Sequence, residues 1–228
     1  MKFLSILIQV TNDLISAPEA EEIRLSLWEL AKEGGWIMLI LAIFSVVAIY
    51  IFVERFITIN KASKKDDEFM NAIRAYMIEG KLDDARQLCR QKATPISRMI
   101  EKGISRIGKP LNDIQTAIEN VGNLEVSKLE KGVALIGMIA GAAPMLGFLG
   151  TVTGMIRAFY DMSMAGNNID IELLSAGIYE AMVTTVGGLI VGIIAYVLYN
   201  IIVSKIDNIV NLLESKSIEF MDVLNEPV

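Results

Sequence analysis

The chain contains no histidine and only one cysteine, Cys89, among its 228 residues. The missing histidine removes the commonest metal ligand and the commonest general base of enzyme sites. A single cysteine excludes an internal disulfide, and we interpret Cys89 as a small buried apolar side chain. The sequence also lacks a nucleophile–base pair, a metal-ligand cluster and a phosphate-binding loop. We therefore expect that the protein is not an enzyme and uses no cofactor.

Positive charge is also scarce. The formal net charge is −6, and the basic residues form no stripe interleaved with aromatic side chains. Because nucleic-acid binding requires such a basic surface, we expect no nucleic-acid partner. What the chain has in abundance is apolar surface, with 53% hydrophobic residues and a mean hydropathy of +0.48. These values predict an integral membrane protein with a sizeable polar part.

Three apolar stretches are long enough to cross a bilayer as helices. The first, residues 36–53, carries no charge and begins with Trp36, an aromatic residue typical of the membrane interface. The second covers residues 133–156 and the third covers residues 173–203. We therefore predict three transmembrane helices.

The distribution of lysine and arginine predicts the orientation. Most of these residues lie in segment 54–132, whereas the loop at 157–172 holds only Arg157. Because basic residues accumulate on the cytoplasmic side, segment 54–132 and the tail at 204–228 are predicted to be cytoplasmic. The loop at 157–172 and residues 1–35 are then external. Residues 1–35 are expected to include an amphipathic helix that lies on the membrane surface.

The cytoplasmic segment carries helix start and stop signals. We predict that Gly80 ends a first helix and that Asp83 caps the next. Thr94 followed by Pro95 predicts the cap and first turn of a third helix. From Asn112 the apolar spacing is helical, and we predict one uninterrupted helix into the second span, with Gly122 and Gly132 tolerated inside it. The tail is predicted to extend the third span as a helix, which gives an all-α membrane protein with long cytoplasmic helical extensions.

Polar side chains interrupt the second and third spans. Glu180 is the only acidic or basic residue in either stretch, and a carboxyl at this position is a functional-site hypothesis by default. Glu180 is expected roughly 10 Å below the outer boundary and Thr151 roughly 9 Å below it. Thr184 stacks one turn deeper than Glu180, and Thr185 follows it. Because a hydroxyl both donates and accepts, Thr151, Glu180, Thr184 and Thr185 are predicted to line a proton pathway.

Structural roles remain open for the same residues. A threonine hydroxyl in a membrane helix often bonds to its own turn or bridges two helices. Glu180 could instead form a structural pair with a neighbouring helix.

Small residues predict close packing of the second and third spans. We assign a helix-packing role to Gly137, Gly141, Pro144, Gly147, Gly150, Gly154, Gly187, Gly188 and Gly192. Pro144 removes one backbone hydrogen bond and is expected to bend the second span. Two spans cannot enclose a pore alone, so a homo-oligomer around a central cavity is expected to keep the polar groups away from lipid.

Two sequence runs resemble a known family. The run from Leu129 to Met155, with its Ala142-Ala143-Pro144-Met145-Leu146-Gly147-Phe148-Leu149-Gly150-Thr151-Val152-Thr153-Gly154 core, is similar to the second span of the MotA/TolQ/ExbB proton-channel family. The run Gly177-Ile178-Tyr179-Glu180-Ala181-Met182-Val183-Thr184-Thr185-Val186-Gly187-Gly188-Leu189 is similar to its third span. Glu54-Arg55 after the first span also fits. The three spans, external N-terminus and large cytoplasmic region are most similar to the ExbB type.

The resemblance implies a homopentamer around a central pore in the inner membrane of a Gram-negative bacterium, in contact with membrane lipids. An ExbD-like single-span partner in the pore would supply the aspartate that accepts the proton. A TonB-like protein would carry the work to outer-membrane receptors. By position, Thr151, Glu180 and Thr185 match the polar pore residues of the family, whereas Thr184 is an addition.

Other functions remain open. A TolQ-like subunit serving outer-membrane integrity or cell division, or another secretion or gliding motor, would carry the same two runs. A MotA-type stator fits less well because that class has four spans. A membrane scaffold without proton coupling is the alternative from a different class.

Overall fold

The computed structural model describes residues 35–62, 67–164 and 171–225, and within them every regular element is an α-helix. The seven helices in these ranges are α1 (Gly35–Ala62), α2 (Asp67–Ile78), α3 (Leu82–Lys92), α4 (Pro95–Ile104), α5 (Leu111–Glu130), α6 (Val133–Met164) and α7 (Ile171–Asn225). The predicted all-α fold is therefore confirmed for the described residues. The amphipathic helix predicted before residue 35 lies outside them.

Three of the helices are long and apolar enough to cross a membrane, namely α1, α6 and α7. Each contains one of the predicted apolar stretches, so the prediction of three candidate spans is confirmed. Helix α6 continues through Pro144 as one element of 32 residues. Helix α7 has 55 residues, so it is about 80 Å long and far exceeds the thickness of a bilayer. Its second half therefore extends beyond any membrane that its first half crosses.

The predicted continuous helix from Asn112 into the second span is wrong. Helix α5 ends at Glu130 and α6 begins at Val133. Gly132 has φ +83°, a left-handed conformation that glycine adopts without strain, so it breaks the helix. The Arg55 guanidinium of α1 donates a hydrogen bond of 2.9 Å to the Lys128 carbonyl in the last turn of α5. This bond satisfies a carbonyl that has no partner inside its helix.

The helix caps agree with prediction at one position and differ at another. The Thr94 cap of α4 is confirmed: its Oγ1 accepts from the Ser97 amide at 3.2 Å, and Ser97 Oγ accepts from the Thr94 amide at 2.9 Å. The cap predicted at Asp83 is wrong, because α3 begins at Leu82 with Lys81 at the cap position. Asp83 lies in the first turn instead, where its negative charge interacts favourably with the positive end of the helix dipole.

The largest apolar core lies mainly outside the apolar stretches at 36–53, 133–156 and 173–203, and we call it the core outside the spans. It joins α2, α3, α4 and α5 to the second half of α7, and Ile73, Ile100, Ile118 and Phe220 are fully buried in it. The spans have only small clusters of buried side chains, and their outward faces are apolar, as Met145 illustrates. Apolar side chains on these faces suit contact with lipid or with other membrane helices.

One acidic side chain is buried beside this large core. Glu125 of α5 is 4% exposed and accepts hydrogen bonds of 2.6 Å from Arg98 and from Lys128. Burial alone raises the pKa of this carboxyl, but the two cationic donors outweigh burial and hold the pKa below its ordinary value. The cluster fixes α4 against α5 through a charged contact.

Candidate functional site

Helices α6 and α7 make the most extensive helix contact in the described chain, which we call the α6–α7 seam. A Cβ built on Gly188 would lie 2.6 Å from the Ala143 carbonyl oxygen. A Cβ on Gly147 would lie 2.9 Å from the Thr184 carbonyl oxygen. Because these neighbours are backbone atoms that cannot swing away, the two backbones can approach this closely only where the sequence supplies glycine.

The other small residues assigned to packing also lie against neighbouring helices, with one exception. A Cβ would come within 3.0 Å of another helix at Gly137, Gly150, Gly154, Gly187 and Gly192, where the facing residues are Tyr199, Thr184, Ala181, Met38 and Pro144 respectively. Gly141 has no such neighbour within 4 Å. Met38 belongs to α1, so the first span also packs against the third.

The seam separates the polar side chains of α6. Gly150 faces Thr184 across the seam. At about 100° per residue, Thr151 lies to one side of Gly150, whereas Thr153 and Arg157 lie towards the other. Thr153 and Arg157 border a pocket that is also lined by α1. These two residues therefore lie on the edge of the seam that is nearer to α1. Thr151 therefore lies on the edge of the seam away from α1.

The polar side chains of α7 divide in the same way. Glu180 borders the pocket that α1 lines. Thr185 lies about 100° further around α7 than Thr184, away from that pocket. We call the edge with Thr153, Arg157 and Glu180 the α1-side edge, and the edge with Thr151 and Thr185 the far edge. The structure thus does not bring all four predicted pathway residues into one cavity of the protomer.

The cavity on the α1-side edge, which we call the three-helix pocket, has a volume of about 110 Å³. All three candidate spans contribute to its wall. The lining residues are Trp36 and Ile37 of α1, Gly150, Thr153, Gly154 and Arg157 of α6, and Glu180 and Thr184 of α7. The pocket thus combines a carboxylate, a guanidinium and two hydroxyls within otherwise apolar helices.

Glu180 reaches the beginning of α1. A Cβ on Gly35 would lie 3.0 Å from the Glu180 Oε1 atom, and Gly35 has φ +61°. Both the backbone conformation and the approach of the carboxylate therefore favour glycine at this position. The positive end of the α1 dipole stabilises a negative charge there. No residue that the structure describes forms an ion pair with Glu180, so the structural pair considered above is not found within those ranges.

The threonine hydroxyls donate to backbone carbonyls. Thr151 donates to Phe148 at 2.6 Å and Thr184 to Ala181 at 2.7 Å, both within their own helix. Thr185 instead donates to the Gly147 carbonyl at 3.0 Å and so bridges the seam. Each hydroxyl oxygen keeps lone pairs that can accept from water. Thr184 is only 2% exposed and fills the space beside Gly150, so its side chain also packs the seam.

Four of the residues that line the pocket were not selected from the sequence, namely Trp36, Ile37, Thr153 and Arg157. Trp36 was interpreted only as an interfacial aromatic residue, and Arg157 only as a basic residue in the loop after the second span. The signal for Arg157 is its spacing of four residues from Thr153, which places both on one helix face. No comparable signal links Trp36 to Glu180, because their contact depends on how α1 packs.

The similarity of this chain to known proteins covers the same regions. The sequence model of the MotA/TolQ/ExbB proton channel family matches residues 91–215, which is more than half of the chain. That range includes both sides of the α6–α7 seam and the three-helix pocket apart from its α1 wall.

Individual relatives extend the match. A protein of Methanothermobacter thermautotrophicus named as an ExbB homolog is 28% identical over 187 residues, which cover 82% of this chain and 66% of the relative. An ExbB-like protein of Synechocystis sp. is 28% identical over 75% of this chain and 68% of its own length. The chain therefore matches about two thirds of the length of these relatives.

A shorter match is to a protein named TolQ. The Tol-Pal system protein TolQ of Haemophilus influenzae is 35% identical over 78 residues, or 34% of each chain. The matched range, the paired apolar helices and their polar seam agree with one another and with the resemblance seen in the sequence. This chain belongs to the MotA/TolQ/ExbB proton channel family.

Proposed function

We propose that the chain is an inner-membrane motor subunit which, with an ExbD-like partner, couples the proton motive force to TonB-dependent transport across the outer membrane. The observation that carries this proposal is the α6–α7 seam, where a carboxylate and four threonine hydroxyls lie within helices long and apolar enough to span a membrane. Family membership and the relatives named as ExbB homologs support it.

The two edges of the seam suggest how the subunit works. In a homopentamer, the far edge of each protomer with Thr151 and Thr185 faces a central pore. The apolar stretches at 36–53, 133–156 and 173–203 contain no aspartate, so the accepting carboxylate comes from the partner's span in the pore. The hydroxyls then hold or pass a proton to that carboxylate, because each can accept one hydrogen bond while donating another.

Glu180 and Thr184 act behind the pore surface in this proposal. Glu180 lies beside the first turn of α1, and Thr184 lies in the seam between Glu180 and Thr185. Thr185 is assigned the pore-facing hydroxyl, since it is less buried than Thr184. The ends of α1 and α6 with Gly35 and Arg157 face the periplasm, and helices α2–α5 lie in the cytoplasm.

Substitution at the seam tests the proposal. Cells whose only copy carries Glu180→Gln or Thr185→Val should lose protonophore-sensitive uptake across the outer membrane, while the complex keeps its intact mass in mild detergent. Thr58→Val is the control, because Thr58 donates within its own helix and lies away from the seam. Undiminished uptake in both seam variants would contradict the proposal.

A TolQ-like role is the second candidate, because the TolQ protein of Haemophilus influenzae is 35% identical to this chain over 78 residues. Purification of the complex in mild detergent and measurement of its intact mass would identify the single-span partner and the subunit number together. A partner of Tol type, with normal substrate uptake in a deletion strain, would favour this candidate. A scaffold without proton coupling predicts instead that Glu180→Gln dissociates the oligomer.

A further inference from the structure

We propose that the three-helix pocket is a water-filled access route by which protons reach Glu180 inside each protomer, from the side of the membrane on which Arg157 lies. The inference rests on the proposed function and adds the route to it. Protons would enter between α1 and the α6–α7 seam, and would reach the far edge only after passing Glu180.

The size and polarity of the pocket suit water. A site needs roughly 10–15 Å³ of free volume and two to four polar partners to hold one water molecule. The pocket offers about 110 Å³, which is room for several. Arg157 supplies donors, the Glu180 carboxylate supplies acceptors, and the Thr153 and Thr184 hydroxyls supply both. Apolar cavities stay dry, but a cavity with these four groups does not.

The pocket is open at one end and closed at the other. Trp36, Thr153 and Arg157 are the exposed residues of its lining, and we infer that the mouth lies on their side. On the α1 wall, Ile37 borders the pocket, whereas Leu41, one turn further along the same face, does not. Both residues pack with Ala143 in one apolar cluster, in which Leu41 lies behind Ile37. Water can therefore enter as far as the level of Ile37, and the packing at Leu41 stops it from crossing the protein.

The α6–α7 seam closes the side of the pocket that faces the far edge. Gly150 and Gly154 contact Thr184 and Ala181 too closely for water to pass between α6 and α7. Thr184 lines the pocket and is buried in the seam. Its hydroxyl is therefore the connection between Glu180 on the α1-side edge and Thr185 on the far edge, which gives this added threonine a role in the route.

The groups that line the pocket suit proton transfer through water. Arg157 faces the pocket from α6 and Glu180 from α7, while the α1 residues at the wall, Trp36 and Ile37, carry no charge. A proton needs only a chain of water molecules and hydroxyls, so the species held by the pocket is water.

Cysteine accessibility tests the route, because Cys89 is the chain's only cysteine and Cys89→Ala removes it. In that background, Ile37→Cys and Leu41→Cys form a matched pair: both positions are almost completely buried, at 3% and 1% exposure, and they lie one turn apart on α1. Silver ions are added to the periplasmic side of the intact complex in its native membrane. The remaining free thiol is then counted by mass after denaturation and alkylation.

We expect the thiol of Ile37→Cys to be lost to silver while that of Leu41→Cys is retained. Retention of both thiols would overturn the water-filled pocket, and loss of both would overturn its closed end. A functional pair completes the test: Ile37→Phe, which fills the pocket, should reduce proton-driven uptake, whereas Ile37→Val should not. Normal uptake in an assembled Ile37→Phe complex would overturn the route.

The outcomes separate this inference from the proposed function. If Glu180→Gln abolishes uptake while Ile37→Cys keeps its free thiol, the motor function stands and the access route fails. If Ile37→Cys reacts while Glu180→Gln and Thr185→Val both retain uptake, the pocket holds water but the proposed function fails, and the route fails with it.

Discussion

The α6–α7 seam and the core outside the spans are packed by opposite means. At the seam, backbone meets backbone through Gly147 and Gly188. In the core outside the spans, isoleucine and phenylalanine side chains such as Ile118 and Phe220 fill the space between helices. The difference follows from the solvent: burial of apolar surface drives packing in water, whereas lipid offers no such gain and helices associate through close contact.

The comparison also distinguishes two acidic side chains, Glu125 and Glu180. Outside the spans, Glu125 is neutralised by two cations at 2.6 Å and takes part in packing. At the seam, Glu180 forms no ion pair with any residue in the described ranges and faces a pocket. The carboxylate outside the spans is thus held by charged partners, while the one at the seam has no such partner within the described ranges.

The largest expected effect lies in the core outside the spans. Phe220→Ala should destabilise the protein by about 3–5 kcal/mol, because it leaves a cavity among α4, α5 and α7 that the surrounding helices cannot fill. Ile218→Ala is the control, since Ile218 is exposed on the same helix. Thermal unfolding of the detergent-solubilised protein would measure both. Equal melting temperatures for the two variants would show that Phe220 is not part of a packed core.

A smaller loss is expected when the seam is widened. Gly188→Val should destabilise the protein by about 1–3 kcal/mol, because its side chain would meet the backbone of Ala143 and Gly147. Gly141→Val is matched to it, since both positions lie in the spans but Gly141 has no neighbour within 4 Å. The same unfolding assay would be read together with protonophore-sensitive uptake. If Gly141→Val proved as damaging as Gly188→Val, close approach at the seam would not be the cause.

The spans were predictable because they depend on local sequence. Residues 36–53 read as a span from composition alone, and Thr94-Pro95 carries its own capping chemistry. Gly132 was misread because a glycine tolerated inside a helix and a glycine that ends one look alike in sequence. Its left-handed conformation accompanies tertiary contacts, such as the bond from Arg55 to Lys128.

The candidate site was predictable only in part, for a related reason. Glu180 stands out as the single charged residue of two apolar stretches, so its selection needed no structure. The division of the polar residues between two edges depends on where α1 packs, through contacts such as that of Met38 with Gly187. Such a contact joins residues far apart in sequence, and periodicity within one helix carries no information about it.

The smallest expected effect concerns the buried carboxylate outside the spans and depends on pH. The pKa of Glu125 in the folded protein lies below the ordinary value of 4.5, because the hydrogen bonds from Arg98 and Lys128 outweigh the effect of burial. Its contribution to stability is therefore complete above that ordinary value and is lost as the pH falls through the lower, folded-state value. The contribution is about 1–2 kcal/mol, since both cations are partly exposed to solvent.

Glu125→Gln should accordingly lower the melting temperature at neutral pH and make the remaining stability less sensitive to acid. Glu119→Gln, an exposed substitution on the same helix, should leave both the melting temperature and its pH dependence unchanged. Unfolding curves of the three proteins at neutral pH and at a series of values below 4.5 would separate these outcomes. A Glu125→Gln protein with the same acid sensitivity as the unsubstituted chain would mean that the charged contact between α4 and α5 adds no stability, and that apolar packing alone holds the core outside the spans.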